Sequence, residues 1–136
     1  MAHTWQSLNW YKPLIIMPAP DKIIDATNKI LGRLAVEIAM ALQGKTTPDF
    51  DPARLSGNKI TVFSTDHIRV TGKKPLQKLY RRHSGFPGGL REESLERMMA
   101  RDSRAALRHA VLGMLPKNRL RPRMMKNLTL HKGAAA

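Results

Sequence analysis

The chain has no cysteine, so it has neither a disulfide framework nor a thiolate metal site; this is compatible with a reducing compartment but does not establish one. Aromatic residues make up only 5% of it, and no acidic side chain follows Asp102. The apolar stretch Pro13–Pro20 is eight residues long with three prolines, too short for a membrane span or for a secretory hydrophobic region with its cleavage site. No G-x-x-x-x-G-K-[ST] phosphate loop occurs: Gly72-Lys73-Lys74 lacks both the leading glycine and the trailing hydroxyl. No G-x-S-x-G elbow is present, and the adjacent His83-Ser84 does not form an oriented nucleophile and base. His3, His67, His83, His109 and His131 form no short-spaced metal pair, and Asp49 with Asp51 reads as a loop-solvating pair rather than a cation site. These absences leave no metal, no cofactor and no catalytic constellation, so an enzyme is not expected.

What is present is basic charge, unevenly placed. The 136 residues carry a formal charge of +14. Residues 1–68 hold 7 Lys/Arg against 6 Asp/Glu, whereas residues 69–136 hold 17 against 4. A near-neutral folded body followed by a strongly cationic half is the charge pattern of a polyanion binder, nucleic acid first among them. Hydrophobic content of 42% in a chain of this length supports one domain with one modest core.

Along the chain, residues 1–21 read as an extended N-terminal arm whose Trp5, Trp10 and Tyr11 pack on protein or stack on a base. Ile23-Ile24 predicts a short strand ending at Asp25. Ile30, Leu31, Leu34, Ala35, Ile38, Ala39 and Leu42 recur at helical spacing. Asp25 or Thr27 is the expected cap of that helix and Gly44 its end, and Gly32 within it suggests close helix packing. After a connection over 46–59, Ile60–Phe63 and Ile68–Val70 predict two more strands, giving an α/β architecture with a parallel sheet. Pro75 is expected to open a helix through about Arg82, with Lys74, Lys78 and Arg81 on one face and Leu76, Leu79 and Tyr80 packed on the other. Helical signals recur over Glu92–Met99 and Arg104–Leu115. The methionine pairs Met98-Met99 and Met124-Met125 suit adaptable packing, and Met114, Leu115 and Leu120 suit anchoring of the tail. Pro122 argues for an irregular tail, and Leu128 to Leu130 allows a last short strand.

Three segments carry the binding chemistry. Arg69, Lys73, Lys74, Lys78, Arg81, Arg82 and Arg91 form a basic run with no acid inside it, which reads as a phosphate-facing surface or as a solvated face. His83-Ser84-Gly85-Phe86-Pro87-Gly88-Gly89 is a loop that either lets the backbone approach phosphate or ribose closely, or is a plain turn plugged by a buried Phe86. Lys117, Arg119, Arg121, Arg123, Lys126 and Lys132 supply the cations of the tail.

The blocks Ile24-Asp25-Ala26-Thr27-Asn28-Lys29-Ile30-Leu31-Gly32-Arg33-Leu34-Ala35, Val70-Thr71-Gly72-Lys73-Lys74, Tyr80-Arg81-Arg82-His83-Ser84-Gly85-Phe86-Pro87-Gly88-Gly89-Leu90 and Gly113-Met114-Leu115-Pro116-Lys117-Asn118-Arg119-Leu120 together resemble the large-subunit ribosomal protein L13 family, bacterial or organellar type. The resemblance runs from about residue 22 to 133. It implies a three-layer α/β/α fold around a parallel four-stranded sheet, with a domain over 22–116 and a basic C-terminal extension over 117–136 closing on it. It also implies a structural role on large-subunit rRNA during early assembly. Lys73, Lys74, Arg81, Arg82, His83, Ser84, Gly88 and Gly89 match the family's rRNA-facing block, and Lys117, Asn118 and Arg119 its C-terminal contact. The implied partners are large-subunit rRNA and neighbouring ribosomal proteins, with no membrane and no homo-oligomer. The implied location is the ribosome of a plastid, a mitochondrial matrix or a bacterial cytoplasm, and Lys78-Leu79-Tyr80-Arg81-Arg82 is similar to plastid members. The chain departs from the family pattern at Asp21-Lys22, where an aromatic pair is usual, at Arg121-Pro122-Arg123, and at His131, where a tyrosine is usual.

Overall fold

The structure, a computed structural model, describes residues 21–48 and 50–134. Trp5, Trp10, Tyr11 and Asp49 therefore lie outside the described residues. Strand β1 (Lys22–Asp25) pairs in parallel with β2 (Ile60–Phe63), and β2 pairs in parallel with β5 (Leu128–Leu130) on its other side. Period-two alternation puts Ile24, Ile60 and Val62 into the core, while Ile23 stays exposed.

Between the first two strands runs α1 (Leu31–Gln43), whose buried face of Leu31, Leu34, Ala35, Ile38, Ala39, Ala41 and Leu42 is almost the one its periodicity predicts. No side chain caps its start. Ile30 occupies the cap position, and Asp25 instead accepts bonds from the Thr27 amide (3.1 Å) and hydroxyl (2.8 Å), closing the turn after β1. Gly44 ends the helix in a left-handed conformation at φ 79°, where a Cβ would stand 2.6 Å from that of Ser56. Gly32 does not pack closely among the described residues: it is exposed, and a Cβ there would meet none of them within 4 Å.

The described strands form a three-stranded parallel sheet and a separate hairpin in place of a four-stranded sheet. Ile68–Val70 makes only the isolated bridge Ile30↔Arg69. Ser64, left-handed at φ 59°, and the 3-10 turn Thr65–His67 carry the chain out of the sheet and alongside Asn28–Leu31. The basic stretch that follows also departs from its helical pattern. Helix α2 covers only Lys74–Gln77; Lys78 is extended, and β3 (Leu79–His83) pairs antiparallel with β4 (Leu90–Ser94). A helix this short gains little against its nucleation cost, so ladder pairing with β4 prevails over local spacing. Lys74, Lys78 and Arg81 consequently share no helix face, and Leu76 and Leu79 are exposed rather than packed. For the same reason helix α3 begins at Leu95, not Glu92, and runs to Arg101, with Ser94 accepting from the Arg97 amide at its cap.

Helix α4 (Ser103–Met114) packs against α1. Its Leu107 and Val111 join the main core, while Leu95, Met98 and Ala106 form a smaller cluster under the hairpin. The described residues beyond Pro116 include regular structure too: Pro122 lies in the first turn of α5 (Arg121–Lys126), where its missing N–H costs no helical bond, so six residues of the expected irregular tail are helix. Met124, Met125 and Leu128 are core residues, and Leu115 is buried, but Met114 is 41% exposed and anchors nothing. His131 stacks on Phe63 with ring centroids 4.9 Å apart, placing an aromatic contact beside β2.

Candidate nucleic-acid interface

Hairpin β3–β4 positions most of the basic run. Its register sets Arg81 opposite Glu92, Arg82 opposite Arg91 and His83 opposite Leu90. The acid-free run is therefore partly neutralised across the strands, contrary to its linear appearance: Arg81 Nε donates to Glu92 Oε1 at 2.6 Å, and Arg101 meets Glu93 at 3.1 Å. Arg82 and Arg91 face each other as like charges with no ion pair among the described residues. Such an opposed pair is mildly destabilising in a free hairpin and favourable once an anion sits between the two guanidinium groups.

The loop at the tip is a compact turn. The Ser84 amide donates to the Gly89 carbonyl, the Gly89 amide to the Phe86 carbonyl, and the Gly85 amide to His83 Nδ1. Gly89 is required by space, because a Cβ there would run into Ser84 Oγ and the Phe86 carbonyl oxygen. Phe86 is 74% exposed, which removes the reading of the loop as a turn plugged by a buried ring.

Beneath the hairpin lies a groove of about 810 Å³ lined by Tyr80, Arg81, Arg82, Arg91, Glu92, Glu93, Arg97, Met98, Arg101 and His109. Tyr80 meets His109 edge to face at 4.8 Å, tying the hairpin to α4, and partial burial pushes the Tyr80 phenol above its ordinary range. His109 also lines an apolar pocket of about 440 Å³ with Arg108, Arg121 and Pro122. The cationic surface thus continues from the hairpin over α4 to the start of α5. Asn118 is committed to structure: its side-chain oxygen accepts from the Arg121 amide at 3.0 Å and opens α5.

Of the residues singled out in the sequence, Arg81, Arg82 and Arg91 line the groove, and Arg121 lies beyond His109. Lys73, Lys74 and Lys78 are exposed around α2; His83, Ser84 and Gly88 are exposed at the loop, where Gly89 is half-buried. Lys117, Arg119, Arg123 and Lys126 are exposed on and before α5. Arg69 is exposed beside Ile30 at the start of α1 and is not part of the groove. Arg97, Arg101 and Arg108 escaped the sequence reading although a signal existed: Arg97/Arg101 and Arg104/Arg108 recur at four-residue spacing, which aligns each pair on one helical face. Of the 17 Lys/Arg in residues 69–136, only Arg81, Arg101, Arg104 and Lys132 form ion pairs among the described residues. The described residues contain no group of three metal-ligating side chains.

Residues 21–136 match the sequence model of the family described as Ribosomal protein L13. Among curated proteins, the large ribosomal subunit protein uL13 of Thermus thermophilus is 50% identical over 111 residues, covering 82% of this chain and 79% of that protein. The proteins of the same name from Roseiflexus castenholzii and Synechococcus are 47% and 45% identical over 111 residues, covering 82% of this chain and 76% and 74% of their own lengths. A family model spanning nearly the whole chain, and relatives at this identity over four-fifths of it, place the α/β body and its arginine-lined hairpin together: the chain belongs to the ribosomal protein L13 family.

Proposed function

We infer that this chain is a structural constituent of the large ribosomal subunit that binds and stabilises large-subunit rRNA during assembly. The observation that carries the reading is the match of residues 21–136 to the L13 family, on a fold whose second half leaves most of its cations unpaired among the described residues. It is not an enzyme. The work is electrostatic and steric: arginines and lysines displace counterions from phosphates, and the glycine loop lets the backbone approach closely. Arg69, Lys73, Lys74, Lys78, Arg81, Arg82, His83, Ser84, Gly88, Gly89 and Arg91 are the proposed contacts of the central region. Lys117, Asn118, Arg119, Arg121, Arg123 and Lys126 are those of the C-terminal segment, where Asn118 contributes through its remaining amide hydrogens.

The domain division proposed is an arm over 1–21, a body over 22–116 and an extension over 117–136 that closes on the body through α5 and β5. Neighbouring large-subunit proteins complete the set of partners, with one copy per subunit and no homo-oligomer. No described helix is long and apolar enough to cross a membrane. The compartment is that of a bacterial or organellar ribosome, and the plastid-like Lys78–Arg82 block favours an organelle.

Sucrose-gradient fractionation of native lysate tests the role: about one copy per large subunit after a moderate-salt wash is expected, and a light, RNA-free pool overturns it. For the isolated chain on deproteinised large-subunit rRNA, about six phosphate contacts give a log-log salt slope near roughly −4. A slope near zero for folded protein would refute the phosphate mechanism.

A further inference from the structure

We propose that the β3–β4 hairpin is a clamp for one unpaired RNA nucleotide region, in which Arg82 and Arg91 hold a phosphate and Phe86 stacks on a base. The inference deepens the rRNA-binding reading and rests on it.

Three observations converge on the hairpin. First, Arg82 and Arg91 are directly opposed across the strands, so their side chains leave the same face of the ribbon, and neither has an acidic partner among the described residues. The neighbouring rung shows what a relieved arrangement looks like: there Arg81 is matched by Glu92. An anion bound between two guanidinium groups replaces repulsion by two charge-assisted contacts. Second, the aromatic ring at the tip is presented to solvent by a loop whose three hydrogen bonds fix it, not left outside by a slack one. Third, Gly85 and Gly88 adopt φ of 90° and 71°, a backbone conformation that L side chains rarely adopt, so the two glycines set the path of the loop that presents the ring.

The charge around the ring selects its occupant. Phe86 stands on a ribbon whose unpaired charges are both positive, while the hairpin's acids, Glu92 and Glu93, are engaged by Arg81 and Arg101. An apolar ring beside unshared arginines matches the base and phosphate of a nucleotide better than the apolar pocket of another basic protein. In A-form duplex the bases are stacked and the major groove is closed to side chains, so the base must come from a loop, bulge or junction.

The test uses the full chain. A photoreactive benzophenone side chain placed at position 86, in chain assembled into large subunits, is irradiated and the cross-linked partner identified. An adduct on an unpaired rRNA nucleotide is expected; an adduct on a protein, or none from fully assembled particles, overturns the clamp. Filter binding of Phe86→Ala, Phe86→Tyr and Arg91→Gln to deproteinised large-subunit rRNA is then measured across a salt series. Loss of one base stack predicts about a 5- to 150-fold weaker Kd for Phe86→Ala with an unchanged salt slope, and near-native binding for Phe86→Tyr. Arg91→Gln reduces the slope by about 0.7 to 0.9. Phe86→Ala within twofold of wild type, or Phe86→Tyr as weak as Phe86→Ala, overturns the stacking. Wild-type chain that assembles and binds with its steep salt slope while the Phe86 variants are unchanged sinks the clamp alone; wild-type chain with no salt-dependent binding sinks the rRNA reading with it. Thermal melts of each variant confirm that it is folded.

Discussion

Thr65 and Ser103, 0% and 1% exposed, lie in a buried hydrogen-bond relay that pins the turn after β2 to the start of α4. Ser103 Oγ has one proton and gives it to Asp66 Oδ1 at 2.6 Å, so the 2.9 Å contact with Thr65 requires the threonine to donate. Ser103→Ala removes the one partner that the Thr65 hydroxyl has among the described residues, while exposed Asp66 regains water. The cost is that of an orphaned buried hydroxyl, about 1–3 kcal/mol. A chain of this size unfolds with an entropy equivalent to roughly 4 °C per kcal/mol, so Tm should fall by about 4–12 °C. Thr65→Val keeps the shape, deletes the donor and leaves the bond to Asp66 intact; it should cost no more than about 1.5 kcal/mol. In the double variant no orphan remains. Urea unfolding of the four proteins, in enough salt to screen the basic surface, should give a coupling of at least about 1 kcal/mol, with the double variant no less stable than Ser103→Ala. Single costs that add to within about 0.5 kcal/mol would refute the relay.

Asp102 caps α4 and meets Arg104, which holds its carboxyl below the usual carboxylate range. Because the folded pKa is lowered, this stability is present above the ordinary value of 3.8 and is lost as pH falls through the folded value. Asp102→Asn, which can still cap, should be less stable than wild type at pH 7 by about 1 kcal/mol or less, with the gap closing below pH 3.8 in urea titrations; a gap independent of pH contradicts the ion-pair origin. Gly44→Ala combines left-handed backbone with a clash at Ser56, whereas Gly57→Ala at φ 74° meets open space. Both should lose about 1–2 kcal/mol from backbone strain, and Gly44→Ala more; equal urea midpoints would show that Ser56 yields freely. Arg91→Thr relieves the opposed arginines, so at low salt the free protein should melt about 1–4 °C higher, with the gain gone at about 1 M salt, while rRNA binding weakens. A lower melting temperature at low salt would refute the repulsion.

What the sequence made legible were the elements whose pattern and burial agree. The face of α1, the β-branched run of β2 and the stop at Gly44 are each set by local spacing that tertiary packing reinforces. The hairpin was illegible because its pairing is non-local: Arg81 to Glu92 and Arg82 to Arg91 are brought together by the six-residue connection 84–89, and nothing in the linear run shows which cation will meet an acid. The α3 and α4 arginines were missed for the opposite reason. Their spacing was visible, but acids interspersed at Glu92, Glu93, Glu96 and Asp102 make the stretch look balanced, and only the fold shows Arg97 and Arg101 lining the groove.

The placement of those few acids explains how one chain both folds and stays ready for a polyanion. In the basic half, Glu92, Glu93 and Asp102 each pair with an arginine at a structural joint: the hairpin rung, the contact from hairpin to α3, and the cap of α4. Lys132 also approaches Asp102 at 3.9 Å, bringing the residue that follows β5 by two positions to the same joint. Acids are thus used where mutual repulsion would open the scaffold and are withheld from Arg82, Arg91 and the exposed cations around α5. Repulsion among the remainder is tolerable because they are distributed over exposed surface and screened over about a Debye length. A ligand that neutralises them together should therefore stabilise the fold as well as bind to it, by an amount that grows as salt is lowered.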